Sequence, residues 1–135
     1  MITRETDYAI RVLLFLSKNN SGKLTSTTEI AEKMQMPYRF LRKIVHNLTN
    51  CGLITAVRGK YGGIKLAEDP ASISLYKVIE MLDHRSVLLN SCCDHSCENE
   101  PCSRTKVCTV HDRLEELQKY LSKELKKINF AELTM

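Results

Sequence analysis

The chain has 135 residues, 43% of them hydrophobic and 27% charged, which is the balance of a folded globular domain and excludes a disordered or low-complexity protein. A chain of this length can bury a core without metal or disulfide staples. Its longest apolar run, Val12–Leu16, is far short of the roughly 20 residues that cross a bilayer. Arg4, Glu5 and Asp7 interrupt the N-terminus, so no secretory leader is expected and the protein is expected in the cytosol, away from membranes. The formal charge of +4 is unevenly spread: between Lys33 and Ala67 there are seven cations (Lys33, Arg39, Arg42, Lys43, Arg58, Lys60, Lys65) and no Asp or Glu. Such a block suggests a surface that faces a polyanion.

In chain order, Thr3 to Lys18 carries apolar residues at helical spacing (Tyr8, Ala9, Val12, Leu13, Phe15, Leu16) and ends at Asn19–Gly22. Ser26-Thr27-Thr28-Glu29 has the form of a capping box and opens a short second helix through Ile30, Ala31 and Met34. Met36-Pro37 makes a turn, with Pro37 expected in the first turn of a third helix, Tyr38–Asn50. That helix keeps Ile44, Val45 and Leu48 on one stripe and Arg39, Arg42, Lys43 and His46 largely off it, and Cys51-Gly52 closes it. Leu53–Val57 reads as a strand, Arg58–Gly63 as a glycine-rich turn and Ile64–Leu66 as the returning strand. A helix is expected over Leu75–Leu82, a long irregular segment over Asn90–Lys106, and a last amphipathic helix through Val110, Leu114, Leu117, Leu121, Leu125 and Ile128.

Two short helices about a tight turn, followed by a two-stranded hairpin, form a winged helix-turn-helix. The expected fold is therefore mainly α with a small β-hairpin wing and a long C-terminal helix. Its parts divide as 1–68 for DNA binding, 69–108 for a linking helix and cysteine-rich segment, and 109–135 for a dimerisation helix and tail. An α-helix fits the major groove, and cations in its first turns can reach bases or phosphates. The residues expected at DNA are Thr28 on the second helix, then Pro37, Tyr38, Arg39, Phe40, Arg42 and Lys43 on the third, and Arg58, Gly59, Lys60 and Tyr61 at the wing. The long seam of the last helix calls for a second copy, and a homodimer would read a palindromic operator in double-stranded DNA.

Five of the six cysteines (Cys92, Cys93, Cys97, Cys102, Cys108) fall within one irregular segment, while Cys51 stands apart in a position suited to core packing. In a reducing compartment, clustered thiols hold a metal or respond to oxidants more often than they form structural disulfides.

Val57-Arg58-Gly59-Lys60-Tyr61-Gly62-Gly63-Ile64-Lys65-Leu66 resembles the wing signature of the IscR/NsrR family of dimeric iron–sulfur transcription regulators. Thr6–Arg11 and Glu29–Ala31 are similar to that family's first and second helices, and the likeness runs through the cysteine segment and last helix. The resemblance implies a repressor whose [2Fe–2S] or [4Fe–4S] cluster responds to iron–sulfur status, redox conditions or nitric oxide. Cys102, Cys108 and His111 match the spacing of the last two cysteines and the histidine of the IscR branch. Position 96, where that branch has its first cysteine, is Ser, so Cys93 and Cys97 are the preferred remaining ligands with Cys92 behind them. Asp7 falls where the NsrR branch has an aspartate that completes the cluster from the partner subunit; as a first-turn acid it also suits the helix dipole. The alternative is the same winged-helix regulator with a thiol-redox or zinc site in place of the cluster. No phosphate-binding glycine loop or nucleophile–base pair points to an enzyme.

Overall fold

The computed structural model describes residues 2–19, 22–89 and 107–135. Along them run α1 (Arg4–Lys18), α2 (Thr27–Lys33), α3 (Tyr38–Asn50), β1 (Ile54–Val57), β2 (Gly63–Leu66), α4 (Leu75–Leu82), α5 (Thr109–Lys127) and α6 (Phe130–Leu133). Short 3-10 turns lie at Pro70–Ser72 and His84–Val87. The irregular segment expected over Asn90–Lys106 falls outside the described residues.

Local capping sets most of these boundaries. The Thr3 hydroxyl accepts the Thr6 amide at 3.2 Å and starts α1. The capping box expected at α2 does not form: Ser26 is the N-cap but makes no side-chain cap bond, and the Glu29 carboxylate instead accepts Lys33 Nζ at 2.6 Å. An i, i+4 ion pair on the exposed face has taken the side chain that the box needed. Pro37 sits one position earlier than expected, as the N-cap of α3.

The turn of the helix-turn-helix is a Schellman closure. Met36 N–H reaches Ala31 O at 2.9 Å and Gln35 N–H reaches Glu32 O at 3.2 Å. Gln35 occupies the left-handed position with φ of 50°, where glycine is usual. Met36 and Ala31, both buried, supply the apolar contact that accompanies the motif. The same device ends α3, as the sequence leads one to expect: Leu53 N–H bonds to Leu48 O at 3.0 Å and Gly52 takes the left-handed position.

The wing pairs antiparallel in the register Ile54–Leu66, Thr55–Lys65, Ala56–Ile64 and Val57–Gly63. Its far edge is not bare. Thr25 exchanges two backbone bonds with Ile64, at 2.9 and 2.8 Å, and ties the wing to the residues entering α2. Around this frame lies one core, built from Val12 and Leu13 of α1, Ile30 of α2, Leu41, Ile44 and Leu48 of α3, Ile54 and Ile64 of the wing, and Val78 of α4.

The C-terminus departs from the expected long helix and tail. The last helix stops at Lys127, and Ile128 is extended instead of continuing the seam. Ile128 O accepts Leu75 N–H at 2.9 Å, and Phe130 N–H bonds to Ile73 O at 3.0 Å, so residues 128–130 lie beside the start of α4 as a one-bridge strand. Phe130 is fully buried in the same core as α1. The Phe130 ring is a large apolar surface to leave in water, and its burial closes the core. Replacing Phe130 by Ala is therefore expected to destabilise the protein by about 3–5 kcal/mol in denaturant unfolding, while Leu133→Ala, on a half-exposed side chain, should cost far less. Equal, small effects would show that the C-terminus is an appendage.

Candidate nucleic-acid interface and cysteine-rich segment

The outer face of α3 follows from its apolar stripe. With Leu41, Ile44 and Leu48 buried, Arg39, Arg42, Lys43 and His46 are turned outward together. The sequence block free of acids is not free of them in space. Glu29 pairs with Lys33, and Glu5, from 38 residues upstream, accepts Lys43 Nζ at 2.7 Å. The other five cations of the block, Arg39, Arg42, Arg58, Lys60 and Lys65, have no acidic partner among the described residues. They are exposed on α3 and on the wing, and Lys65, not among the expected site residues, joins them because its strand position alternates outward.

Thr28 and Tyr38 are exposed at the openings of α2 and α3, alongside Pro37. Phe40 is not presented to solvent in this way. It is half-buried, with its ring 5.3 Å from that of Tyr8 at 89°, an edge-to-face contact that fixes the start of α3 against α1.

The wing tip depends on glycine for lack of space. A Cβ on Gly62 would lie 2.1 Å from Val57 O, and one on Gly63 would lie 2.4 Å from Thr25 O. The chain can therefore fold back on itself and press against Thr25 only with hydrogens at these positions. This tight base projects Arg58, Gly59, Lys60 and Tyr61 outward; Tyr61 is 88% exposed, with Lys60 Nζ 5.7 Å from its ring centre.

Of the expected cluster ligands, Cys93, Cys97 and Cys102, with Cys92 behind them, lie outside the described residues. Both ends of their segment are anchored. On the incoming side, the Gln118 side chain donates to Val87 O at 2.6 Å and accepts from Leu89 N at 2.7 Å, which fastens residues 87–89 to α5. On the outgoing side, Cys108 is the N-cap of α5, and its sulfur accepts the His111 amide at 3.4 Å. His111 is only 8% exposed, and its Nδ1 is buried without a hydrogen-bond partner among the described residues. A buried imidazole nitrogen left unpaired is unfavourable. Asp7 accepts from Arg11 Nε at 2.8 Å within its own helix. Cys51 packs against the core with its thiol directed at Met81 O, and burial raises its pKa, which suits a packing role.

A family model described as Rrf2, an iron-dependent transcriptional regulator, matches residues 2–135. The chain belongs to the Rrf2 family. Members are transcriptional regulators that bind DNA. The HTH-type transcriptional regulator NsrR of Oceanobacillus iheyensis is 41% identical over 88 residues, which is 65% of this chain and 60% of that relative's length. Solved structures share the fold. CymR of B. subtilis, the global cysteine regulator, superposes with a TM-score of 0.77 at 22% identity, covering 99% of this chain and 95% of that one. T. potens IscR follows at a TM-score of 0.74 and 20% identity, covering 98% and 85%. The winged-helix class expected from the sequence is thus borne out. No helix among the described residues is long and apolar enough to cross a membrane.

The wing's dependence on space can be tested directly. Gly63→Ala should push Thr25 and Ile64 apart and cost about 1–3 kcal/mol in denaturant unfolding, the usual penalty for overpacking. Unchanged stability would mean that the Thr25 bridge is not part of the native fold.

Proposed function

We propose that this Rrf2 regulator is a cytoplasmic homodimeric repressor that reads a palindromic operator and adjusts its DNA affinity through an iron–sulfur cluster on its cysteine segment. The observation that carries the DNA half is the set of unpaired cations on α3 and the wing. Arg39 and Arg42 enter the major groove, and Arg58, Gly59, Lys60 and Tyr61 lie along the backbone or minor groove. Thr28, Pro37 and Tyr38 flank this face, while Phe40 and Lys43 support it from the α1 side. Residues 1–68 form the reading head, 69–108 the sensing segment and 109–135 the pairing helix with its tail. For pairing, α5 offers 19 residues with Val110, Leu117 and Tyr120 exposed along it. Exposed apolar side chains spaced along one helix favour burial against a second copy.

For the sensing half, the donor chemistry of the residues present suits the group. Cys108 and His111 stand together at the start of α5, with one imidazole nitrogen buried and unsatisfied, and Cys93, Cys97 and Cys102 complete a thiolate-rich set. Asp7 reaches this set from the other subunit. Its pair with Arg11 is exposed and lies within one helix turn, so it contributes little and yields readily to a stronger partner. When bound, the cluster supplies iron that reacts with oxidants or nitric oxide. The protein's part is mechanical: Gln118 and the Cys108 cap hold both ends of the segment on α5, the helix that sets the spacing of the two reading heads. Ligand state then shifts the population of operator-competent spacings. The NsrR relative favours this reading; the likeness of the fold to a cysteine regulator keeps a second one, in which the same thiols form a redox switch or zinc site, in view.

Arg42→Ala and Arg58→Ala should each weaken binding to duplex DNA and flatten the dependence of log K on log salt by about 0.9 per lost phosphate contact. Anisotropy titrations across a salt series check this. Unchanged slopes for both would remove α3 and the wing from the interface.

A further inference from the structure

Glu5 is an acid placed by the fold inside the basic face. It stands in the first turn of α1, and its two carboxylate oxygens are divided between two residues of α3: Oε2 accepts Lys43 Nζ at 2.7 Å, and Oε1 accepts from Asn47 Nδ2. Asn47 follows Lys43 by four positions, so one carboxylate grips two successive turns of the helix along the edge that faces α1. We propose that Glu5 is a positioning residue of the reading head, which cancels the charge of Lys43 and holds it as a strut, so that Lys43 adds no cation to the DNA-facing set. The inference rests on the reading of α3 and the wing as the DNA face.

Three observations support it. Lys43 shares the outer face of α3 with Arg39, Arg42 and His46, so a freed Lys43 would stand beside the groove-facing cations. The pair lies at the surface, with side chains 63% and 33% exposed, and therefore contributes little to holding the fold. Its effect is on charge: counterion release counts the cations that neutralise phosphates, and a lysine paired at 2.7 Å with a carboxylate brings no net charge to the DNA. Glu5 also borders a cavity of about 260 Å³ with Thr3, Thr6, Asn47 and Asp83, so a glutamine fits in its place without crowding the core. The Glu29–Lys33 pair differs, since it lies within one helix and joins no two elements.

The test is a salt series of anisotropy titrations on the full chain with a mixed-sequence DNA duplex. Glu5→Gln should tighten binding at low salt and steepen the log–log slope by about 0.9, the value of one added phosphate contact. In the Glu5→Gln background, adding Lys43→Ala should return the slope to the wild-type value, because the site is then again without net charge. The inference is overturned if adding Lys43→Ala leaves the slope of the Glu5→Gln variant unchanged. It is equally overturned if Glu5→Gln leaves the slope unchanged, whatever it does to the melting temperature. Should Arg42→Ala also fail to change the slope, the DNA face itself has been misplaced and the role of Glu5 falls with it.

Discussion

The burial of α1 is the constraint on which the other elements depend. Its inner face, with Val12 and Leu13 fully buried, packs in one core with α3, the wing strands, α4 and Phe130. Each such side chain taken fully out of water contributes roughly 1.5–3 kcal/mol, far more than any surface ion pair in the molecule. The core therefore fixes where α3 and the wing lie, and the polar contacts on their edges only adjust them. Tyr8 against Phe40, and Glu5 against Lys43 and Asn47, are adjustments of this kind, made where α1 runs beside α3.

Charge is organised on top of that frame. Proximity in space, unlike proximity in sequence, introduces acids into the basic block, and the pairing leaves Arg39, Arg42, Arg58, Lys60 and Lys65 as the cations with no acidic partner among the described residues. The two groups of cations lie on separate elements of one frame, and Gly63 lets the wing bond to Thr25 just ahead of α2. A reading head of this type gains specificity from rigidity, since flexible cations would meet any phosphate equally well.

Much of this was legible in the sequence because local rules agreed with tertiary ones. The 3.6-residue spacing in α1 and α3, the glycine closing α3 and the glycine pair of the wing each specify a local geometry that the core then accepts. Elsewhere tertiary contacts overrode local signals. Ser26 and Glu29 match a capping box, yet Lys33 captured the glutamate. Gln35 gives no left-handed signal, and the burial of Met36 imposes one. Phe130 follows a long polar helix with no periodicity of its own, so its place beside α1 depends on a chain reversal that only the packed structure reveals. Glu5 and Lys43 are too far apart in sequence for any window to pair them. On the sensing side, the identity of Cys108 and His111 as neighbours was readable from spacing, whereas the unsatisfied Nδ1 of His111 was not.

The cysteine segment lies in sequence between two helices of different burial: α4 packs into the core, whereas α5 leaves Val110, Leu117 and Tyr120 exposed and Leu114, Leu121 and Leu125 half-buried. The most direct measurement is the iron, zinc and acid-labile sulfide content per chain, with the visible spectrum, of protein purified without oxygen. Iron and sulfide are expected in near-equal amounts, with visible absorption. Zinc alone, or neither metal nor sulfide, would contradict the cluster and move sensing to the thiols themselves.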